Sequence, residues 1–169
     1  MIKRVLIANR GEIAVRIIRA AHSLGIEVVQ AVSDADRDTM AADLADRVVV
    51  IGPASARDSY LNSDLVIHAA KVTGCDALHP GYGFLSEQAK LAQGCEDEGI
   101  IFVGPRAQVI DDLGDKLRAR AIAEKAGIPL VPGSGHVRTV SEARVAAEAL
   151  GLPVVMKASA GGGGRGMFV

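Results

Sequence analysis

Short apolar runs alternate with stretches of helical periodicity through the first hundred residues. The runs are nearly continuous in β-branched and small apolar residues, as is typical of strands covered on both faces. Their alternation with helices predicts an α/β fold, with a Rossmann-like parallel sheet and helices on both faces. The predicted strands are residues 5–8, 27–33, 48–51, 76–79 and 100–103.

Polar residues stand at the predicted helix starts. Asn9 followed by Glu12 has the spacing of a capping box, and Ser63 and Ser86 are placed to cap two later helices. Gly25 is the expected stop of the first helix. The core-facing side of that helix is predicted to hold Ile13, Ile17, Ala21 and Leu24.

The pattern changes after Pro105. One helix is predicted from Gly114 to the breaker at Gly127, and another begins at Thr139 after a linker or hinge at residues 132–135. The inner face of the helix from Gly114 is predicted to hold Leu117, Ala121 and Ile122.

The last stretch of the chain has the form strand, glycine loop, strand. Lys157 ends an apolar run, four glycines and Arg165 follow, and Met167 begins a second run. Glycines let successive backbone N–H groups face one anion, so the pattern predicts a phosphate-binding loop. It is not a Walker A loop, because the lysine precedes the glycines. A flexible hairpin tip is the alternative.

The turn after the fourth strand carries a second candidate site. It runs from His79 to Glu87 and lies at the carboxyl end of a strand, where open α/β sheets bind ligands. Tyr82 is as well explained by function as by packing. Packing is the preferred interpretation for His79 and Phe84.

A dinucleotide fingerprint is matched only in part. Asn9, Gly11 and Ala14 hold the three glycine positions of the first strand-to-helix turn, and Asp34 follows the second strand. One glycine in three is weak support for a dinucleotide. Arg10 is expected to pair with Glu12 at the surface.

Composition narrows the classes of function. The chain has 169 residues, 19 Lys and Arg against 20 Asp and Glu, and no Trp, so no basic, aromatic-rich surface for nucleic acid is expected. No signal peptide or membrane span is evident. Cys75 and Cys95 lack metal-ligand spacing and are expected to be small core residues in a reduced, cytoplasmic protein.

Six landmarks occur in one order over the whole chain. They are Ala8–Ala14, Ser33–Asp38, His79–Glu87, Phe102–Pro105, Gly114–Lys116 and Lys157–Met167. Together they resemble the N-terminal part of biotin carboxylase, a member of the ATP-grasp superfamily. The resemblance implies a Rossmann-like N-terminal domain at residues 1–112 and the start of an ATP-grasp module at residues 113–169.

The resemblance also implies an activity. Biotin carboxylases are ligases that use MgATP to phosphorylate bicarbonate, and the carboxyphosphate then supplies carbon dioxide to biotin on a carrier protein or domain. The implied partners are the remainder of the chain, the carrier, a carboxyltransferase and a second copy of the enzyme. Fatty acid biosynthesis by an acyl-CoA carboxylase is one setting, but the final carboxyl acceptor is left open.

Site residues follow from the resemblance position by position. Spacing alone makes Lys116 a solvated helix residue, whereas the family match makes it an ATP contact. Tyr82 and Glu87 match a loop that lines the active centre. No catalytic residue or metal ligand is expected within these residues. The implied ATP-binding residues are Lys116, Lys157, Gly161, Gly162, Gly163, Gly164, Arg165 and Gly166.

Two other readings of the chain remain open. The 169 residues are expected to fold without cleaving ATP in response to bicarbonate or biotin. A structural or dimerisation domain is therefore one alternative, based on the exposed helix face of Arg16, Arg19 and Ser23. A dinucleotide-binding domain is a weaker one.

Overall fold

The computed structural model describes residues 1–158 and 166–169. The chain divides into two units, Met1–Asp111 and Asp112–Val169, and each is described by itself.

A five-stranded parallel sheet forms the centre of the first unit. Its strands lie in the order β3-β2-β1-β4-β5, which confirms the predicted α/β fold. Each predicted strand agrees with the observed one to within one residue at either end. The bounds are β1 (Arg4–Ile7), β2 (Glu27–Val32), β3 (Arg47–Val50), β4 (Ala77–His79) and β5 (Ile101–Phe102).

Helices cover both faces of this sheet. Because successive side chains of a strand point to opposite faces, β1 contributes Val5 and Ile7 to one core and Leu6 to the other. Helices α1 and α2 pack on the first face, and α3 and α4 on the second. Their bounds are α1 (Gly11–Ser23), α2 (Met40–Leu44), α3 (Ser63–Val72) and α4 (Ala89–Asp97).

The buried face of α1 differs from the predicted one. The structure buries Ala14, Ile17, Ile18 and Ala21, while Leu24 is exposed. The helix begins one residue later than expected, at Gly11 with Arg10 as its N-cap, and Leu24 lies after its end. Gly25 follows with a positive φ of 69°, as expected of a helix stop.

Three predicted caps are wrong. The N-cap of α1 is Arg10 without a side-chain bond, because the Asn9 amide is used elsewhere. Asn62 caps α3 in place of Ser63. The helix α4 begins at Ala89, since Leu85 is anchored in the core and the chain turns until Gln88.

Cys75 and Cys95 are buried in the core as free thiols, which confirms their predicted packing role. Burial raises the pKa of both, that of Cys95 to about 11, so neither thiol ionises readily.

Three more helices and two short strands follow β5 in the described part of the chain. Helix α5 (Ala107–Gly114) was not predicted from the sequence. Helix α7 (Val140–Leu150) matches the prediction, and Thr139 caps it as expected. Helix α6 (Lys116–Lys125) begins two residues after the predicted start at Gly114, which belongs to α5. The strands β6 (Met156–Lys157) and β7 (Met167–Phe168) pair antiparallel.

The second unit has no buried side chain among its described residues. The expected inner face of α6 is therefore wrong for this chain, since Leu117 and Ile122 are both exposed. No described helix combines the length and apolar character needed to pass through a lipid bilayer.

Candidate functional site

The carboxyl edge of the sheet has its switch point between β1 and β4. From β1 the chain crosses over to β2 on one side, whereas β4 leads to β5 on the other side. Ligand crevices of open α/β sheets form at such points. In this unit the residues after β1 meet the 80–87 loop, defined as Pro80 to Glu87.

Asn9 spans this crevice with its side chain. Its Nδ2 donates to the backbone oxygens of Pro80 (2.8 Å) and Tyr82 (2.7 Å), and its Oδ1 accepts from the backbone N–H of Arg10 (2.9 Å). Asn9 occupies the first glycine position of a dinucleotide fingerprint, where a glycine allows the tight turn, and its side chain fills that turn with bonds to the 80–87 loop. The geometry therefore does not favour a dinucleotide.

Gln30 supports Asn9 from the neighbouring strand. It is fully buried, and its Nε2 donates to the backbone oxygen of Asn9 at 2.6 Å and to that of Ala31 at 2.7 Å. Among the described residues its Oε1 has no hydrogen-bond partner. Burying an unpaired polar atom costs free energy. In return, the bond from Gln30 to the Asn9 backbone oxygen holds the end of β1 in place.

An aromatic pair anchors the other end of the 80–87 loop. The rings of Phe84 and Tyr60 are stacked with their centroids 5.1 Å apart, and the Arg10 guanidinium lies over both. Phe84 holds a positive φ of 41°, which is costly for an aromatic residue and is maintained by this packing. Phe84 therefore has the packing role that was preferred for it.

Asp36 belongs to the same cluster as Tyr60, Phe84 and Arg10. It accepts hydrogen bonds from Ser33 (2.5 Å) and Tyr60 (2.9 Å) and pairs with Arg10 at 3.4 Å, so the expected pairing of Arg10 with Glu12 is not formed. Burial opposes its ionisation, but the hydrogen bonds and the nearby positive charge outweigh burial and lower its pKa. Burial also raises the pKa of Tyr60 to about 12.

Tyr82 projects from the loop and is 60% exposed. Its hydroxyl donates to the Glu12 carboxylate at 2.5 Å, and this bond to an anion raises the pKa of Tyr82. Glu87 is also exposed, at the end of the same loop. His79 is half-buried, accepts the Gly81 N–H on Nδ1 at 3.0 Å, and has a pKa lowered by burial, as fits a packing role.

In the second unit, both lysines that are predicted to bind ATP lie at the β6–β7 strand pair. The Asp115 carboxylate caps α6 by accepting from the backbone N–H groups of Leu117 and Arg118, both at 2.9 Å. This cap places Lys116 at the helix start, and its Nζ donates to the backbone oxygen of Ala158 at 3.1 Å.

Ala158 directly follows Lys157 of β6, and its N–H donates to the Gly166 oxygen at 2.8 Å. Lys116 therefore contacts the loop end of the β6–β7 pair, at the residue directly after Lys157. The predicted loop residues Gly161, Gly162, Gly163, Gly164 and Arg165 lie outside the described residues.

Sequence reasoning missed several residues of the first unit. Tyr60, Asp36 and Gln30 were not singled out, although a glutamine inside the apolar run of β2 is a readable signal of a buried polar role. The Tyr82–Glu12 bond joins residues 70 positions apart, and no local pattern reports it. The described residues hold no group of three or more His, Cys, Asp or Glu side chains that could bind a metal.

Two family models match the chain. One, described as the N-terminal domain of biotin carboxylase, matches residues 1–110, and the other, the ATP-binding domain of the carbamoyl-phosphate synthase L chain, matches residues 115–169.

Curated relatives share about half of their aligned residues with the chain. Biotin carboxylase 1 of Bacillus subtilis is 52% identical over all of this chain and 38% of its own length. The alpha subunit of the mitochondrial methylcrotonoyl-CoA carboxylase of Arabidopsis thaliana is 51% identical over 99% of this chain and 23% of its own length. The chain thus spans well under half of each relative.

Solved structures agree with these relatives. A biotin carboxylase from Campylobacter jejuni, described as a complex with beta-gamma-ATP, has a TM-score of 0.95 at 41% identity over 99% of this chain and 38% of its own. The biotin carboxylase domain dimer of 2-oxoglutarate carboxylase from Hydrogenobacter thermophilus, with MgADP, ADP and bicarbonate, has a TM-score of 0.93 at 45% identity, covering 99% and 37%.

Proposed function

Since the chain belongs to the family of biotin carboxylase N-terminal domains, we propose that it forms the N-terminal part of an ATP-dependent ligase that carboxylates biotin. The parent enzyme would use MgATP and bicarbonate and transfer the carboxyl group to biotin on a carrier protein or domain. Residues 1–112 are assigned to the Rossmann-like domain and residues 113–169 to the start of the ATP-grasp module.

The observation that carries this proposal is the position of Lys116. Its ammonium lies 3.1 Å from the Ala158 oxygen, at the loop end of the strand that finishes with Lys157. Two lysines next to a glycine-rich loop supply positive charge, which suits a polyphosphate. We assign both side chains to the phosphates of ATP.

The glycine loop completes the proposed ATP site. Gly161, Gly162, Gly163, Gly164 and Gly166 would offer backbone N–H groups to the phosphates, and Arg165 would add a charge. ATP supplies an activated phosphoryl group, and these donors hold it while negative charge moves to the acceptor. The magnesium ligands are expected outside these residues, in the remainder of the parent chain.

Tyr82 and Glu87 are assigned to the lining of the active centre, on the side where biotin enters. Support comes from their exposure on the 80–87 loop at the carboxyl edge of the sheet. The proposed partners are the rest of the enzyme, the biotin carrier and a carboxyltransferase. A cytoplasmic setting, with fatty acid biosynthesis as one role, belongs to the same proposal.

Steady-state kinetics of the parent enzyme test the proposal. ADP release by the wild-type enzyme should depend on bicarbonate and rise with biotin. Lys116→Ala and Lys157→Ala should each lower kcat/KM for ATP at least about tenfold, equivalent to about 1.4 kcal/mol. Lys125→Ala, which removes an ammonium from the last turn of the same helix α6, is the matched control and should leave the value unchanged. ADP release that ignores bicarbonate, or equal effects of all three variants, would contradict the assignment.

A homodimeric parent is a second part of the proposal. The solved biotin carboxylase domain of 2-oxoglutarate carboxylase is described as a dimer. On this chain, Arg16 and Arg19 of α1 line an open groove of about 760 Å³ together with Met40 of α2. Replacing both arginines by glutamate should shift the parent enzyme from dimer to monomer in sedimentation velocity, and an unchanged profile would exclude this face.

A further inference from the structure

The Asn9 side chain makes contacts that neither capping nor core packing requires. It is 4% exposed, and its amide makes three hydrogen bonds: both N–H groups donate to carbonyls of the 80–87 loop, and the oxygen accepts from the backbone of its own segment. Since Nδ2 is the donor in both loop bonds, the amide joins the end of β1 to the backbone on either side of Gly81.

Gly81 is shaped to receive this amide. Its φ of 67° is in the left-handed region, and a Cβ at this position would lie 2.7 Å from Nδ2 of Asn9. Only a glycine at position 81 therefore leaves room for the Asn9 amide against the loop backbone. Tyr82 follows directly, and its backbone oxygen is one of the two acceptors.

Gln30 and Phe84 fix the two ends of this arrangement. Gln30 holds the Asn9 backbone oxygen at 2.6 Å from within the sheet, and Phe84 is stacked on Tyr60 two residues after Tyr82. The backbone at Tyr82 is thus restrained on both sides, while its side chain remains exposed apart from the bond to Glu12.

From these contacts we infer that Asn9 is a positioning residue for the biotin side of the active centre. Its amide clamps the 80–87 loop so that the Tyr82 ring is presented at a fixed place. This inference rests on the proposed function, because it takes Tyr82 as part of the biotin-facing lining. Asn9 itself does not touch the substrate.

Asn9→Asp in the parent enzyme is the sharpest test. Aspartate keeps the shape and the oxygen that accepts from Arg10, but it replaces the donor by a second carboxylate oxygen that faces two carbonyls. Asn62→Asp is the matched control, because it adds the same charge within the same unit while keeping the oxygen that accepts from Leu65.

Hydrogen exchange and kinetics then give independent readouts. In Asn9→Asp, amides of the 80–87 loop should exchange at least about tenfold faster, with β1 unchanged. The KM for free biotin should rise about fivefold or more at unchanged KM for ATP, because misplaced lining residues weaken productive binding. In a Tyr82→Ala background, Asn9→Asp should add nothing further to the biotin KM.

Three results would overturn the inference. They are equal loop exchange in Asn9→Asp and Asn62→Asp, a parallel rise in both KM values, and effects of Asn9→Asp and Tyr82→Ala that multiply. If Asn9→Asp lacks a cooperative thermal transition, Gly81→Ala replaces it with the same readouts, since its Cβ would push the loop off the amide. Wild-type enzyme without biotin-dependent ADP release would refute the proposed function, while loop exchange would still decide whether Asn9 is a clamp.

Discussion

At the scale of single residues, two neighbouring glycines should respond very differently to substitution. Gly81 and Gly83 both have a positive φ, 67° and 62°, but only Gly81 is crowded, by the Asn9 amide. Gly81→Ala should lower the free energy of unfolding by about 3 kcal/mol, from backbone strain together with overpacking. Gly83→Ala, with open space around it, should cost only about 1 kcal/mol. Urea unfolding of both variants checks this, and equal losses would contradict the close approach of Asn9.

The structure of the 80–87 loop is predictable in part from its residue types alone. The cluster of glycine, proline and aromatic residues between His79 and Glu87 indicated a structured turn at the carboxyl edge of the sheet. The partners of that turn were not predictable, because Asn9 and Tyr60 are distant in sequence and their bonds depend on how the sheet is assembled. Asn9 also fits a capping box, and only the tertiary structure decides whether its side chain caps the helix locally or donates to the distant loop.

At the scale of elements, the start of α6 determines where Lys116 lies. Asp115 accepts from two backbone N–H groups, and these bonds lower its pKa, the bond from Arg118 most. Asp115→Ala should therefore let the first turn of α6 exchange its amides roughly fivefold faster. Asp115→Asn retains the capping oxygen and should stay near the wild-type rate. If both variants exchange at one rate, the cap does not hold this helix.

Strands were predicted more accurately than helix ends. The central strands β1, β2 and β4 are buried on both faces and appear in the sequence as apolar runs, so their limits are visible directly. A helix start depends on which of several nearby polar side chains accepts from the first free backbone N–H groups. At α3 the accepting side chain is Asn62 and not its neighbour Ser63. Helix α5 was missed because it follows a Gly-Pro pair that suggested a break.

At the scale of the whole molecule, burial is divided unequally along the chain. The first unit has apolar cores on both faces of its sheet, whereas no described residue after Ala107 is buried. Exposed apolar side chains such as Val140, Val145 and Leu152 in the second unit have little to pack against. A segment without a core contributes little free energy to its own folding.

Limited proteolysis of the 169-residue chain should reveal this division. Trypsin at a low ratio should cut first between Lys116 and Arg144, leaving a resistant fragment that contains the whole sheet, because cleavage requires local opening. Thermolysin, which cuts beside apolar residues, should leave a fragment of similar length, so that the result does not reflect where lysines and arginines lie. Early cleavage within α1 to α4, measured by mass spectrometry, would contradict the prediction.

The cluster that anchors the 80–87 loop also gives the chain an optical signature. Without tryptophan, its intrinsic fluorescence comes from Tyr60 and Tyr82 alone. Tyr60 is fully buried beneath Phe84, with its pKa raised to about 12, whereas Tyr82 stands at the surface. A soluble quencher such as acrylamide should therefore quench the fluorescence of Tyr82 and leave that of Tyr60 unchanged. The emission of Tyr60 then reports on the interior at the edge of the sheet, and the extent of Tyr82 quenching reports on whatever covers the loop.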